Sequence, residues 1–160
     1  MPAKRGLRVG PNPTDRGKAG TKHHLAVEAQ GLPLVVTHTA ANVHDSLPFE
    51  GLIAAIPPIA HPAGYRRKRP DKVHADKAYA FPRCRTFLRT RGITPRIARR
   101  GSAAGEQVGR HRWVVERTQA WLHRCRRLTS RDERRDDIHA AFLTLGCALI
   151  CCTARTDWFW

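Results

Sequence analysis

The sequence predicts an α/β fold with a mixed sheet and flanking helices. A strand-like run, a helical run and a second strand-like run follow one another between Lys72 and Ala98. That order implies a right-handed crossover with parallel strand pairing. Two β-favouring runs nearer the start are separated by a short turn, which favours an antiparallel hairpin. At 160 residues the chain suits one domain with a substantial core.

The first third of the chain predicts a loop, the hairpin and a short helix. Residues 1–20 are rich in glycine, proline and cations and lack regular periodicity, so we expect an extended basic loop. The runs "TKHHLAVEA" and "LPLVVTHTA" are the hairpin strands, separated by a tight turn at Gln30-Gly31. Asp45 is placed to cap a helix that runs to about Ile56, with Pro48 in its first turn.

The middle of the chain predicts a loop followed by the crossover unit. Four prolines and a basic cluster between Pro57 and Asp71 indicate a surface loop. The run "KVHADKAYA" is a strand ending near Asp76. In "FPRCRTFLRTRG", Pro82 near the start and Gly92 just past the end are typical of a helix. The run "ITPRIA" is the second strand of the unit.

Two helices are expected in the last third. The first covers the arginine-rich segment "GRHRWVVERTQAWLHRCRRL", and the second runs from Asp136 or Asp137 to about Cys152. The second is apolar on almost every side, so we expect it to be buried on several sides. Its apolar run, from Ala140 to Cys152, is shorter than the roughly 20 residues that span a bilayer. We therefore expect a domain over residues 21–153 and a tail, 154–160, that either packs back or protrudes.

The charge balance points to a polyanionic partner. Lysine and arginine outnumber aspartate and glutamate 29 to 13, for a net charge of +16, which favours nucleic acid over a solubilising surface or an anionic membrane. Five cysteines without a C-x-x-C pair or a secretory signal favour a reducing cytoplasm. The pair His23-His24 lacks zinc-site spacing with them, so we expect strand-face or phosphate-facing histidines and no zinc.

Two carboxylates are candidates for a metal site. Helical geometry places Glu116 opposite the apolar side formed by Val114 and Trp121, so Glu116 faces outward and Trp121 inward. An exposed ion pair with Arg112, four residues earlier, is the simpler alternative. Asp76 lies at a predicted strand end, where ligands of α/β sheets gather, although a turn cap would also explain it. Together, two such oxygen ligands would suit Mg²⁺.

Several ordered blocks resemble the catalytic region of bacterial insertion-sequence transposases of the DDE superfamily. These blocks are "GPNPTDRGKAGTKHHL", "ANVHDS", "ADKAYA", "RGITPRIARR", "GRHRWVVERTQAWLHRCRRL" and "ERRDDIHAAFLTLGCALIC". The resemblance implies a ribonuclease H-like fold and Mg²⁺- or Mn²⁺-dependent DNA strand cleavage and transfer, with Asp76 and Glu116 as two of three metal-binding carboxylates.

The match to the family also has departures. Gly109 and His123 stand where the family's glutamate motif carries tyrosine and lysine. The family's first aspartate belongs on a strand upstream of "AKRG", so we expect the first strand to be missing. Asp15, in a loop, and Asp45, at a helix cap, are weaker substitutes. We therefore expect a truncated product or the second reading frame of a frameshifted element.

The resemblance also implies partners and contacts. The partners would be transposon-end and target DNA, an upstream reading-frame product and a second copy in a bacterial cytoplasm, without a membrane. "RRKR" is either a solvated loop or a DNA-backbone contact. A non-catalytic basic DNA- or RNA-binding protein is the alternative to an enzyme. The expected DNA contacts are Lys77, Arg112, His123, Arg124, Arg127, Arg66, Arg67, Lys68 and Arg69.

Overall fold

The fold is a mixed α/β arrangement built on three small sheets. The structure, a computed structural model, describes residues 6–61, 63–67, 69–98 and 106–154, and only the backbone of residues 106–112. Its strands are β1 (Gly10–Pro11), β2 (Ala19–Val27), β3 (Pro33–Ala40), β4 (Ile59–Ala60), β5 (Arg66–Arg67), β6 (Lys72–Ala75) and β7 (Thr94–Ile97). Its α-helices are α1 (Phe49–Ala54), α2 (Pro82–Thr90), α3 (Glu106–Leu122), α4 (Arg126–Thr129) and α5 (Asp136–Ala154), and a single 3-10 turn covers Lys77–Tyr79.

The predicted hairpin is confirmed. Strands β2 and β3 pair antiparallel from Thr21 opposite Ala40 to Val27 opposite Pro33. The turn between them contains Gly31 at a φ of +93°, a left-handed conformation that side-chain-bearing residues rarely adopt. The Thr118 hydroxyl donates a 2.7 Å hydrogen bond to the Gly31 carbonyl, so helix α3 holds the tip of the hairpin.

The predicted strand–helix–strand order with parallel pairing is also confirmed. Strands β6 and β7 pair in parallel, with Lys72 opposite Thr94 and Ala75 opposite Ile97, and α2 connects them. Pro82 lies in the first turn of α2 and Gly92 follows its end with a φ of +67°. Each of these signals is local in sequence, which is why the unit could be predicted.

The expectation of one mixed sheet is wrong for the described residues. The antiparallel sheet β1–β2–β3, the hairpin β4–β5 and the parallel pair β6–β7 are three separate sheets. Strands belong to one sheet only when their backbones hydrogen-bond, and no described strand links β2 to β6. Among the described residues, β6 therefore pairs on one side only, with β7.

Both predicted loops contain short strands. Within residues 1–20, Gly10 and Pro11 pair with Gly20 and Ala19 to form β1, and the chain already enters β2 at Ala19. Within residues 57–71, β4 and β5 form a hairpin. The two-residue strands β1, β4 and β5 carry no alternating apolar pattern, so periodicity could not reveal them.

The capping prediction for Asp45 is wrong. Helix α1 begins at Phe49 with Pro48 at its N-cap position and ends at Ala54, two residues before the expected end. The Asp45 carboxylate instead forms a 2.9 Å ion pair with the ammonium group of Lys22, 23 residues earlier on β2. A tertiary contact with an opposite charge thus replaced the local cap.

The arginine-rich segment forms two helices rather than one. Helix α3 ends at Leu122 and α4 begins at Arg126. The assignment of residues to inward and outward sides by helical geometry therefore applies only as far as Leu122. Val114 and Leu122 are buried and Glu116 is exposed, as expected. Trp121 is only half-buried, with the Arg117 guanidinium over its ring at 4.8 Å from the centroid, so its fully inward placement is wrong.

The core consists of two hydrophobic clusters. The first lies between α1, α2 and β7, and contains Phe49, Ile53, Cys84, Leu88, Ile93 and Ile97. The second packs α3, α4 and α5 against the β2–β3 hairpin around Leu122, Leu128 and Leu143. Candidate site residues lie on the elements that these two clusters hold.

Helix α5 is less buried than its sequence predicted. Its fully or nearly buried residues are His139, Leu143 and Gly146, whereas Leu145 and Leu149 are 55% and 53% exposed. The expectation of burial on several sides is therefore wrong. Among the described residues, α5 is the one helix long and apolar enough to cross a membrane, with a mean hydropathy of 1.6. Core helices of soluble proteins meet the same criteria. Residues 155–160, which contain the aromatic tail, lie outside the described residues.

Candidate active site and nucleic-acid interface

Asp76 lies directly after the last residue of β6. Its side chain accepts a hydrogen bond from the backbone N–H of Lys77 and so caps the 3-10 turn. The carboxylate is exposed. The aspartate thus caps a turn and also stands at the carboxyl end of a parallel strand, and its role as a ligand stays a prediction.

Asp76 lines a cavity of about 610 Å³ that several distant segments form together. The start of β2, the loop before α1, the turn after β6 and the end of α3 surround it. Its titratable and cationic lining residues include Asp15, Lys22, His24, Asp45, His123 and Arg131. A concave space on which several titratable and charged groups converge is a candidate for a binding or catalytic site.

Lys22 and Tyr79 lie near the acidic groups of the cavity and interact with them electrostatically. The Lys22 ammonium donates to the Val43 carbonyl at 3.1 Å and to the Asp45 carboxylate at 2.9 Å. Burial, followed by the charges of Asp45 and Asp76, raises the pKa of Tyr79 to about 12. The tyrosine therefore keeps its proton at neutral pH, and its hydroxyl lies within electrostatic reach of both carboxylates.

A buried histidine cluster lies beside the cavity. His23, which lines the cavity, and the fully buried His139 approach to 3.0 Å between their Nε2 atoms. Burial, reinforced by neighbouring cations and histidines, lowers the pKa of His23 to about 3 and that of His139 to about 4. His38 contacts the Asp136 carboxylate at 2.6 Å. Thus His23 and His139 are neutral at pH 7 and hold α5 against the hairpin as a hydrogen-bonded pair.

Glu116 is on the exposed side of α3, outside the cavity lining. Gln119 and His123, three and seven residues further along, do line the cavity. The structure thus brings the helix of Glu116 to the cavity that holds Asp76. A metal site shared by these two carboxylates stays a prediction.

The predicted phosphate contacts on the arginine-rich segment are dispersed. His123 lines the cavity, whereas Arg124 lines a separate apolar groove of about 560 Å³ between α3 and α5. Arg127 forms an ion pair with Glu133 and lies over the Phe142 ring at 5.0 Å from its centroid. The side chain of Arg112 lies outside the described residues.

The remaining predicted contacts fall at the cavity edge and on the β4–β5 hairpin. Lys77 follows Asp76 at the start of the 3-10 turn. Arg66 and Arg67 form β5 and are exposed. Arg67 forms an ion pair with Asp71, and Arg69 donates to the Arg91 carbonyl at 3.0 Å. Lys68 lies outside the described residues. The "RRKR" run is thus partly tied to its own protein surface.

The donor chemistry of the cavity is compatible with a hard cation. Within the described residues, no group of three or more His, Cys, Asp or Glu side chains is placed to hold a metal ion. Mg²⁺ nevertheless keeps several waters and is commonly held by one or two carboxylates together with substrate phosphates. Asp76 supplies an exposed carboxylate of the required kind, and Glu116 lies on a helix that borders the same cavity.

The sequence offered Asp15 and Asp45 only as weak substitutes for the first carboxylate and did not point to Lys22. The two aspartates line the same cavity as Asp76, although their loop and cap contexts made them weak candidates. Lys22 was unremarkable within a strand. The ion pair of Lys22 with Asp45 depends on how β2 packs beside the loop after β3, and no local pattern encodes that packing.

Comparisons with known proteins agree with the resemblance. The profile of a family described as "Transposase DDE domain" matches residues 4–151. A Burkholderia cepacia protein assigned by name as the transposase for insertion sequence element IS402 is 54% identical over 144 residues, covering 90% of this chain and 68% of the relative. No solved structure matches. The family profile spans both core clusters and the cavity around Asp76, and the chain belongs to the DDE-domain family of insertion-sequence transposases.

Proposed function

We propose that this chain supplies the catalytic region of a transposase that cleaves and joins DNA strands at the ends of an insertion sequence. Asp76 and Glu116 would be the second and third carboxylates of the catalytic triad. The observation that carries the proposal is the position of Asp76, exposed at the end of parallel strand β6 in a cavity that also contains cationic side chains. The family assignment supports the same chemistry.

The cavity residues have separate tasks in this proposal. Asp76 and Glu116 would hold Mg²⁺ or Mn²⁺, which polarises the scissile phosphate and favours loss of a proton from the attacking water or 3′-hydroxyl. His123 and Arg131 would lie beside the phosphate backbone and attract it. The Tyr79 hydroxyl, with its pKa raised to about 12, is available as a hydrogen-bond donor to a phosphate oxygen.

The first carboxylate of the triad is proposed to come from an upstream segment. In the described part of the chain, β6 pairs only with β7, and β2 beyond Gly20 pairs only with β3. A further strand paired with one of these edges would build the ribonuclease H-like arrangement that the family implies. A preceding reading frame or a longer polypeptide would supply this strand with its aspartate, so the 160-residue chain alone would cleave poorly.

A cleavage assay tests the proposal. The 160-residue chain and the same chain joined to the upstream frame are incubated with DNA that contains the element ends, in Mg²⁺ or Mn²⁺. We expect cleavage by the longer protein, lost in Asp76→Asn and in Glu116→Gln. Asp137→Asn, at an exposed carboxylate paired with Arg135, is the matched control and should retain activity.

Metal binding provides a second measurement. Electron paramagnetic resonance of Mn²⁺ should show weaker binding in both carboxylate variants and unchanged binding in the Asp137→Asn control. Because Glu116 is exposed, Glu116→Gln should melt at the same temperature as the wild type. Wild-type cleavage by Glu116→Gln would remove Glu116 from the triad, and efficient cleavage by the short chain that depends on Asp45 or Asp15 would place the first carboxylate there.

A non-catalytic nucleic-acid-binding protein is the second candidate. The observation that favours it is that the described residues hold no group of three metal-binding side chains. Tight DNA binding without metal-dependent cleavage, in both the short and the extended protein, would select this candidate.

A further inference from the structure

The β4–β5 hairpin presents an ordered turn. Ile59 pairs with Arg67 and Ala60 with Arg66. The turn closes through hydrogen bonds from the His61 N–H to the Tyr65 carbonyl at 2.8 Å and from the Gly64 N–H to the His61 carbonyl at 2.9 Å. We call residues 59–61 and 63–67 the basic hairpin. Pro62 and Lys68 lie outside the described residues and carry no part of the argument.

The pairing register places an aromatic and aliphatic set on one face of the basic hairpin. Side chains alternate between faces along a strand, so Ile59, His61, Tyr65 and Arg67 share one face, and Ala60 and Arg66 share the other. Ile59 is 42% exposed and Tyr65 is 54% exposed. In a chain of this size, such a face is a candidate contact surface.

The two rings on this face are already stacked. The His61 and Tyr65 ring centroids are 4.4 Å apart with an interplanar angle of 15°. The Ala63 N–H donates to His61 Nδ1 at 3.2 Å, which holds the imidazole in place. A ring that is ordered before binding loses little conformational entropy when another ring stacks on it.

Arginines lie near the stacked pair on the basic hairpin and at its exit. Arg67 lies on the same face and forms an ion pair with Asp71, and Arg66 is exposed on the opposite face. Arg69 fixes the exit of the hairpin to the end of α2 through the Arg91 carbonyl. A preordered aromatic platform within a cationic surface is the combination by which proteins bind unpaired nucleic-acid bases.

We propose that the stacked His61–Tyr65 pair of the basic hairpin binds an unpaired DNA base, while Arg66, on the opposite face, contacts the phosphate backbone. The proposal rests on the proposed function, because it takes DNA as the substrate. A second protein would be a poorer match for this face, since the net charge of +16 favours a polyanion over another copy of the chain.

Fluorescence anisotropy on two labelled oligonucleotides tests the proposal. One is a duplex, and the other is the same duplex with a single-stranded 3′ extension that contains 2-aminopurine. For Tyr65→Ala we expect about ten-fold weaker binding to the extended DNA, the loss of one base-stacking contact, and unchanged binding to the duplex. Tyr65→Phe keeps the ring and should match the wild type. Arg66→Gln should weaken binding to both DNAs equally.

The 2-aminopurine signal identifies the contact directly. Its fluorescence should be quenched by the wild type and Tyr65→Phe, and not by Tyr65→Ala. Equal binding and quenching by Tyr65→Ala and the wild type would overturn the inference and leave the proposed function standing. Failure of the wild type to bind either DNA would overturn both. A dimer that Tyr65→Ala abolishes, with DNA binding unchanged, would assign the face to a second copy instead.

Discussion

The contact between His23 and His139 joins residues 116 positions apart. Burial disfavours a proton on either ring, and other histidines around His23 and the Arg131 guanidinium near His139 disfavour it further. The 3.0 Å contact needs one donor and one acceptor nitrogen, which two neutral rings provide and which protonation of both rings removes. This arrangement makes the attachment of α5 to the hairpin dependent on pH.

Stability should decrease as the pH falls from 6.5 towards 4. In the unfolded chain both histidines have a pKa of 6.5, and in the folded chain the values are about 3 and 4. The unfolded state thus binds more protons within this window, so the histidine contribution is complete above pH 6.5 and is lost as the pH falls. Thermal melting at pH 7.5, 6.5, 5.5 and 4.5 measures the effect.

Two histidine variants separate this pair from the rest of the protein. His139→Gln should flatten the dependence of the melting temperature on pH, and His61→Gln, on the distant hairpin, should keep the wild-type slope. The pKa of Asp136, which pairs with His38, is lowered, so protonation of this carboxylate reduces stability only at more acidic pH. Parallel curves for His139→Gln and the wild type would show that other groups cause the pH dependence.

Two leucines should differ sharply in their contribution to stability. Leu122 is 1% exposed at the junction of α3 with α5, whereas Leu145 is 55% exposed on α5. Leu122→Ala should lower the free energy of unfolding by about 2 to 5 kcal/mol, because it removes buried methyl groups and leaves a cavity. Leu145→Ala should change it by less than roughly 0.5 kcal/mol. Urea denaturation compares them, and similar losses in both variants would mean that the exposed side of α5 is covered in solution.

At the scale of elements, local signals could be predicted and distant contacts could not. The proline and glycine at the two ends of α2 and the strand-favouring runs around it specified β6, α2 and β7 correctly. The end of α3 at Leu122 has no such signal in the sequence, and Leu122 and Leu128, on either side of the break, pack with Leu143 of α5 in one cluster. The three short strands and the separation of the sheets also depend on contacts across the fold.

The same division applies to the candidate site. Asp76 was predictable because a strand end is a local feature, and the outward side of Glu116 followed from helical geometry within α3. The position of Asp45 in the same cavity was not predictable, because it follows from pairing with Lys22. Sequence patterns locate a residue on its element, whereas the packing of elements determines which residues meet.

The hairpin turn should tolerate no side chain at Gly31. A Cβ atom there would meet Arg117 Nη2 at 2.9 Å and Thr118 Oγ1 at 3.0 Å, in addition to the strain of a φ of +93°. Gly31→Ala should therefore cost on the order of 1 to 3 kcal/mol. Gly51, on α1 with open space around it, is the matched control.

Replacing Gly51 should change the free energy of unfolding in the opposite direction. Gly51→Ala should stabilise the protein by about 0.5 to 1 kcal/mol, because alanine is the better helix former. Chemical denaturation of both variants gives the comparison. A stable Gly31→Ala protein would mean that the turn can move away from α3.

At the scale of the whole molecule, net charge determines how DNA binding responds to salt. With a charge of +16, affinity should fall linearly with salt on a log–log plot, by about 10³- to 10⁵-fold between 50 and 200 mM if six to ten phosphates are contacted. Removing one phosphate contact with Arg66→Gln should reduce the slope by about one. Anisotropy titrations measure it, and a flat dependence would contradict an electrostatic mode of binding.

The large separation in sequence between the β2–β3 hairpin and α5 also determines when the protein can fold during synthesis. Strands β6 and β7 contact residues about 22 positions apart in register, so the crossover unit closes as soon as it leaves the ribosome. The β2–β3 hairpin cannot bind α5 until much later in synthesis. Roughly 100 residues separate His38 on β3 from Asp136, its partner at the start of α5. Until then its apolar side, including Leu25 and Val36, remains uncovered. The nascent chain is thus most susceptible to aggregation and chaperone capture in the interval before its last helix emerges.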